Sequence, residues 1–225
     1  FLFFSPGRII ISVNNKTDFK LIFKDEFIFI NNLTHLNFEK LDFFLNKNVF
    51  KVEKILGNFI EKINLIVETS DFLNLQISMK KSDHNGYIDP NVILYLIKSA
   101  KYQCEKTIQS KKIIHILIDS YLIDNVYYTE LPLNQKCKNF SLDISFICLP
   151  DELIKNIEKT LKRFQISVNK ILSASYIYKF VDDRDINFFD MTSKIICGHN
   201  KNEVKLVNKI SKNKGFFEKF FDLFN

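Results

Sequence analysis

The sequence contains no tryptophan, five glycines, four prolines and no long uncharged apolar run. Phosphate-binding loops need glycine, because the backbone must approach the phosphate groups closely, and five scattered glycines cannot form several such loops. A helix that spans a bilayer needs about 18 or more apolar residues, and no stretch of that kind is present. Residues 1–4 are too short for a signal-peptide core. The chain does not begin with methionine, which leaves room for residues upstream of Phe1.

Arginine and cysteine are also scarce. The arginines are Arg8, Arg163 and Arg184, so the net charge of +6 is carried by lysine. Arginine is the residue best suited to bidentate contacts with phosphates and bases, and its scarcity argues against nucleic-acid binding. The cysteines are widely separated and mostly in apolar surroundings, which is typical of reduced thiols in a cytosolic protein. They are Cys104, Cys137, Cys148 and Cys197.

Residue types that perform catalysis or bind metals are present but not grouped. Each histidine is far from the next, and none shares a motif with a nucleophile or a carboxylate pair: His35, His84, His115 and His199. Cys197 and His199 offer two metal ligands without a second pair, and the aspartates of residues 182–185 lack the glycine and distal glutamate of a calcium loop. His115 lies in an apolar strand, which predicts a core or interface histidine. We therefore predict no catalytic residue, no metal site and no cofactor.

Hydrophobic periodicity predicts an α+β domain. Short β-branched and aromatic runs at residues 8–13, 19–23 and 27–30 predict a three-stranded meander, followed by a helix over 37–62. Further strands are predicted at 63–68, 73–79, 113–118, 141–148 and 168–172, with a hairpin over 121–129. Further helices are predicted at 89–107, 150–164, 174–180 and 185–197. The first of these helices has the clearest start, because Asp89 can cap it and Pro90 fits its first position.

The last eleven residues, 215–225, have the strongest pattern in the chain. Wound as a helix, they place their large apolar side chains in one arc about 160° wide, beside a lysine-rich approach. Such a helix can lie among lipid headgroups, with lysines contacting anionic lipids. The predicted membrane-binding residues are Phe216, Phe217, Phe220, Phe221, Leu223, Phe224, Lys212, Lys214 and Lys219. The other interpretation is a terminal helix that packs on its own domain.

The middle of the chain resembles the bacterial cell-division protein FtsA. The resemblance is carried by the stretch 114–124 (IHILIDSYLID), by Leu131-Pro132-Leu133, by 142–148 (LDISFIC) and by residues 153–164 followed by the stretch 166–176 (ISVNKILSASY). It covers roughly residues 88–180. A lysine-rich linker followed by a short aromatic amphipathic helix is an independent point of similarity to this family.

This resemblance implies the fold and its division into parts. The fold class is α+β, with an FtsA-like strand-helix-strand-strand subdomain, a remnant of an actin-like first subdomain and a C-terminal amphipathic helix. The implied parts are the actin-like remnant (1–62), the strand-helix-strand-strand subdomain (63–165), return helices that pack on the first subdomain (166–198), a lysine-rich tether (199–214) and the amphipathic membrane-targeting helix (215–225).

The chain also departs from the FtsA pattern. The turn expected to hold the first phosphate motif is residues 13–17, which has no glycine, and residues 181–185 replace the second motif. The second lobe, which helps to bind ATP and FtsZ in the family, has no counterpart. We expect a protein without ATP binding or ATPase activity.

The resemblance implies a membrane-tethered adaptor of the bacterial cell-division machinery. Its partners would be the cytoplasmic membrane surface, division proteins (FtsZ or later ones) and other copies of itself, with no nucleic acid. Asp119, Tyr121 and Asp124 are the predicted partner-binding residues. The expected location is the cytoplasmic face of the inner membrane, peripheral, at the division site. The sequence leaves the direct partner and the oligomeric state open.

Two alternatives stay open. One is a strand-helix-strand-strand adaptor of a pilus or secretion apparatus, similar to PilM. The other is a cytosolic domain, an enzyme or a nucleic-acid binder, whose C-terminal helix packs on its own core.

Overall fold

The computed structural model describes residues 1–15, 17–29, 34–82, 86–131, 135–181 and 188–205. Its strands are β1 (Leu2–Phe4), β2 (Arg8–Asn14), β3 (Leu21–Ile28), β4 (Lys62–Val67), β5 (Leu73–Lys81), β6 (Gly86–Tyr87), β7 (Lys111–Ile123), β8 (Val126–Tyr128), β9 (Lys136–Cys137), β10 (Phe140–Pro150) and β11 (Ser167–Ser173). Its helices are α1 (Phe38–Leu56), α2 (Pro90–Thr107), α3 (Asp151–Lys162), α4 (Ala174–Tyr178) and α5 (Phe188–Ile196). The predicted α+β class is confirmed.

The first sheet has five strands in the order β11-β4-β1-β2-β3. β1 pairs in parallel with β4, and β4 with β11, whereas β1, β2 and β3 are antiparallel. Helices α1 and α3 cover one face, and α4 and α5 cover the other. Because both faces are buried, its central strands are continuous apolar runs without alternation. This mixed sheet is compatible with the predicted remnant of an actin-like subdomain.

The second sheet has four antiparallel strands in the order β5-β10-β7-β8. Alternate residues of β10 pack against α2, which explains the alternating pattern of this strand: Phe140, Leu142, Ile144, Phe146 and Cys148. In chain order β5, α2, β7 and β10 form a strand, a helix and two strands, as predicted. No feature of this unit is specific to FtsA.

Helix α2 begins where the sequence predicts. The Asp89 side chain accepts a hydrogen bond from the Asn91 amide at 2.6 Å, and Pro90 occupies the first turn. Buried Ile93, Leu96 and Ala100 then form the face that packs on the second sheet. The cap and the apolar spacing together place this helix across the sheet.

Three boundaries differ from the prediction. The structure adds β1 ahead of the predicted meander, and it joins the predicted strands at 19–23 and 27–30 into the single strand β3. Strand β4, which we assigned to the strand-helix-strand-strand subdomain, lies in the first sheet between β1 and β11. Its apolar residues Leu65, Ile66 and Val67 are all fully buried, because both of its faces are covered.

The predicted membrane-targeting helix, residues 215–225, lies outside the described residues, as do Lys212 and Lys214. Its contact with lipid therefore stays a prediction. Within the described ranges, no helix combines the length and the apolar character needed to cross a bilayer.

Candidate partner-binding cleft

The segment 199–205 packs on the second sheet. Glu203 forms an antiparallel bridge with Leu117 of β7. The Ile118 amide donates to the Asn202 carbonyl oxygen at 2.9 Å, and the Val204 amide donates to the Ile116 carbonyl oxygen at 2.9 Å. The prediction that the tether begins at residue 199 was therefore wrong, because the main chain of this segment is hydrogen-bonded to β7 through an isolated antiparallel bridge.

A buried polar cluster holds this segment in place. His115 Nδ1 lies 2.8 Å from Glu203 Oε1, and the Ser173 amide donates to His115 Nε2 at 3.1 Å. Since Nε2 accepts this bond, geometry assigns the proton of the neutral ring to Nδ1, which donates to the Glu203 carboxylate. The Tyr176 hydroxyl donates to Glu203 Oε2 at 3.2 Å, and Asn200 Nδ2 donates to the Tyr176 oxygen at 2.9 Å.

The electrostatics of the cluster favour a charged carboxylate. Burial opposes the charge of Glu203, but the hydrogen bonds from His115 and Tyr176 outweigh burial and hold the pKa of Glu203 below its usual value. Burial raises the pKa of the Tyr176 hydroxyl, which keeps it protonated as a donor. His115 comes from the second sheet, Ser173 from the first and Glu203 from the C-terminal segment. The cluster therefore joins three parts of the fold.

A cleft of about 340 Å³ lies beside the cluster, between β7 and β11. Its walls include Ile113, Ile114 and Ile171, with Lys112 and Lys170 exposed on its rim. Over residues 111–115, β7 pairs only with β10, and β11 pairs only with β4, as far as the described residues show. Each of the two strands thus has one edge here that pairs with no other named strand of the described residues.

Side chains pack against one another at the carboxyl ends of the parallel strands. In open α/β sheets this is where ligands bind. Here Arg8 Nη2 donates to the Tyr178 hydroxyl at 3.2 Å, and the Tyr178 ring lies 5.0 Å from that of Phe188. The Arg8 guanidinium also lies 5.1 Å from the centre of the Phe3 ring. Aromatic side chains therefore pack at this end of the sheet.

The turn after the first strand is residues 5–7, and our assignment of residues 13–17 to that place was wrong, because β1 precedes β2. This turn does contain Gly7, but most of its amides are already used. The Ser5 amide donates to the Arg8 carbonyl oxygen at 3.0 Å, the Arg8 amide donates to Ser5 Oγ at 3.0 Å, and Pro6 has no N–H group. The amides of Ser5 and Arg8 therefore already have hydrogen-bond partners within the turn.

The three predicted partner-binding residues do not form one surface. Asp119 is exposed and accepts hydrogen bonds from Ser145 Oγ and Gln76 Nε2. Tyr121 is only 3% exposed and packs under α2, so its side chain is not available to a partner. Asp124 adopts a positive φ of 44° and accepts hydrogen bonds from the amides of Lys138 and Asn139, which stabilises its turn. Partner binding by Asp119 stays a prediction.

Sequence reasoning placed His115 in the interior but missed its partners. A buried histidine in an apolar strand needs hydrogen-bond partners, and this need was the available signal. Glu203 was hidden in a lysine-rich segment assigned to the tether. Among the described residues, no group of three or more potential metal ligands lies close together.

No protein-family model matches the sequence, and a search of curated proteins finds no match. Several solved structures show a distant likeness, of which two are given as examples. One is the cytoplasmic domain of EpsL, an inner membrane component of the type II secretion system of Vibrio cholerae, with 11% identity over 78% of this chain and 58% of that chain, at a TM-score of 0.38. The other is the PilM-PilN type IV pilus biogenesis complex, with 10% identity over 80% of this chain and 48% of that chain, at a TM-score of 0.44. The chain spans about half the length of these structures.

Proposed function

We propose that this chain is a non-enzymatic adaptor that binds an extended segment of a protein partner and holds it at a membrane surface. The observation that carries the proposal is the edge of β7. This edge already pairs with residues 202–204 through an antiparallel bridge, and it continues into the cleft as an edge that pairs with no other strand among the described residues.

The cleft suits an extended peptide because strand edges face it from both sides. A peptide that adds a strand gains main-chain hydrogen bonds from the edge, while pockets for alternate side chains provide specificity. Ile113, Ile114 and Ile171 offer apolar contacts for such side chains. Lys112 and Lys170 on the rim favour a partner segment with acidic residues beside its apolar ones.

A non-enzymatic role is supported by the side-chain packing at the carboxyl ends of the first sheet, which is where open α/β sheets bind ligands. Tyr178 and Phe188 pack together there, and the turn after β1 is held by its own hydrogen bonds. The charge of Glu203 in the cluster has a structural role, since its hydrogen bonds hold the C-terminal segment against both sheets.

Membrane contact is assigned to the aromatic tail. Each large apolar side chain of residues 216–224 contributes roughly 1.5–3 kcal/mol when fully buried, and less at an interface. After the entropy of ordering the tail is subtracted, a single copy anchors weakly and reversibly. Several copies bound to one assembly would anchor more firmly, because each added contact is intramolecular.

An adaptor of this kind could belong to either of the two assemblies that the sequence analysis left open, the cell-division machinery and a pilus or secretion apparatus. The feature that favoured the division machinery over a pilus or secretion apparatus was the terminal helix, which lies outside the described residues. The position of a fluorescent fusion in the cell distinguishes them: a midcell band indicates division, whereas polar or envelope foci indicate a pilus or secretion apparatus.

Peptide selection tests the cleft directly. The full chain is used to select binders from a library of displayed random peptides, and each peptide is titrated against two double variants. Lys112→Glu/Lys170→Glu reverses the charge of the cleft rim, whereas Lys51→Glu/Lys98→Glu makes the same change on exposed helix positions outside the cleft. We expect the first variant to weaken binding about tenfold and the second to leave it unchanged. If the selected peptides bind both double variants with equal affinity, the cleft is not their binding site.

A further inference from the structure

A second cavity, of about 570 Å³, lies at the end of the first sheet opposite Tyr178. It is bounded by the C-terminal ends of α1 and α5 and by the start of β4. Its walls are largely apolar: Val13, Val52, Leu56, Ile60, Ile63 and Ile196. A cavity of this size and character is typical of a site for a small apolar ligand or for a few large side chains.

The described chain ends in the neighbouring cleft between β7 and β11, which shares the wall residue Ile196 with this cavity. Lys205, the last described residue, donates from Nζ to the carbonyl oxygen of Ile196, a wall residue, at 2.9 Å. Twenty residues follow it in the sequence, ending in the aromatic segment 215–225. The ten residues 206–215 can span up to about 33 Å when extended, which is more than enough to bring the aromatic side chains back to the cavity.

We propose that the aromatic segment docks into this cavity when no membrane is present. The occupant is a segment of the same chain, and its chemistry fits because the cavity walls and the segment are both apolar. Docking hides phenylalanine side chains that would otherwise be exposed to water. The same side chains cannot lie in the cavity and in lipid at once, so lipid and cavity compete; this competition rests on the proposed membrane contact, whereas docking does not.

Cys197 provides a reporter of docking within the native sequence. It is exposed and lines the cavity, whereas Cys104, Cys137 and Cys148 are buried. Burial also raises the pKa of each of those three thiols, which suppresses their reaction further. A bulky uncharged maleimide will therefore label the folded protein at Cys197, at a rate that reflects the fraction of molecules with an open cavity.

The experiment measures this labelling rate in the full chain without lipid. Phe220→Glu/Phe221→Glu should abolish docking and raise the rate about tenfold, which corresponds to docking favoured by about 1.4 kcal/mol. The matched control is Lys219→Glu, which makes the same change in charge but keeps the aromatic face. Its rate should remain that of the parent chain.

A second pair of variants tests the cavity side. Leu56→Glu places a charge on the cavity wall, whereas Ile55→Glu makes the same type of change on the neighbouring residue, which does not line the cavity. Both side chains are partly exposed, at 41% and 48%, so neither change disturbs the core. We expect faster labelling of Cys197 in the first variant only. Equal labelling rates across all five proteins would overturn the proposal.

Vesicles of phosphatidylglycerol and phosphatidylethanolamine separate docking from membrane binding. If lipid and cavity compete, vesicles should raise the labelling rate of the parent chain to that of Phe220→Glu/Phe221→Glu. If the parent chain does not bind vesicles but the variants still differ without lipid, docking stands and the membrane contact fails. If the parent chain binds vesicles and the labelling rate of Cys197 does not change, lipid and the cavity do not compete for the aromatic segment.

Discussion

The two sheets of this protein bury their surfaces differently. The first sheet is covered by helices on both faces, and its central residues Leu2, Phe3 and Phe4 are fully buried. The second sheet is covered by α2 on one face. On its other face Leu117 and Ile147 pack into the core that contains α4 and α5, whereas another part of this face carries polar side chains such as Asp119 and Asp143. The first sheet therefore serves as the scaffold, whereas the second keeps a face and an edge that can contact other molecules.

The largest expected effect is in the first sheet. Phe3→Ala would leave a cavity between the sheet and α5, since Phe3 is fully buried and its ring packs against that of Phe188. We expect the free energy of unfolding to fall by about 3–5 kcal/mol. Urea denaturation measures this change. Phe43→Ala, at a position 61% exposed on α1, is the control and should change stability by about 0.5 kcal/mol or less. A similar fall in the free energy of unfolding for both variants would contradict the conclusion that the first sheet is the scaffold.

A smaller effect is expected at the junction of the two sheets. Glu203→Gln removes the charge that accepts hydrogen bonds from His115 and Tyr176, and should lower the free energy of unfolding by about 1–3 kcal/mol at neutral pH. Because the pKa of Glu203 is below its usual value of 4.5 in the folded protein, its charge stabilises the fold above that pH. This contribution is lost as the pH falls below about 4.5 towards the lowered pKa.

Urea denaturation at neutral and acidic pH measures both parts of this prediction. The difference in the free energy of unfolding between the parent chain and Glu203→Gln should become smaller as the pH falls. Glu130→Gln, at an exposed loop position, is the control and should follow the parent chain at every pH. A constant difference between the parent chain and Glu203→Gln would show that the charge of Glu203 is not what stabilises the junction.

On the open face of the second sheet the expected effect is smaller still. Asp143 accepts hydrogen bonds from Ser78 Oγ and Ser120 Oγ, each at 2.6 Å, but all three side chains are reached by solvent. Asp143→Ala should therefore cost about 1 kcal/mol or less. Ile144→Ala, one residue along the same strand but fully buried under α2, should cost about 2–5 kcal/mol. If Asp143→Ala lowers the free energy of unfolding by more than Ile144→Ala does, this face of the sheet is not exposed to solvent.

The smallest expected effect concerns nucleotide. Millimolar Mg-ATP should leave the melting temperature of the full chain unchanged, because Tyr178 and Phe188 pack at the carboxyl ends of the parallel strands. Differential scanning fluorimetry measures the shift, with Mg-GTP as the comparison. A clear stabilisation by ATP alone would contradict the non-enzymatic proposal.

The sequence predicted those elements whose local signals agree with their packing. Helix α2 has both a cap and a periodic apolar face, and β10 has a clear alternation. Strand β1 was missed because three apolar residues buried on both faces show no period. Strand β3 was split because Lys24, Asp25 and Glu26 are typical of a turn; on this edge strand they form ion pairs instead, Lys24 with Glu26 and Asp25 with Lys47.

The candidate site was predicted less well than the fold. His115 and Glu203 are far apart in sequence, and only the packing of the C-terminal segment on β7 brings them together. The cleft likewise depends on how β7 and β11 face each other, and no local pattern encodes this arrangement. Tyr121 was chosen for its place beside a turn, although the alternation of β7 turns its side chain under α2.

Photo-crosslinking in the host cell tests the central claim most directly. A photoreactive amino acid replaces Lys112 or Lys170 on the cleft rim, with Lys51 and Lys98 as control positions outside the cleft. We predict that both cleft positions crosslink to one and the same protein in the membrane fraction and that the control positions do not. The absence of a crosslinked product from the cleft, or the same product from all four positions, would contradict the account.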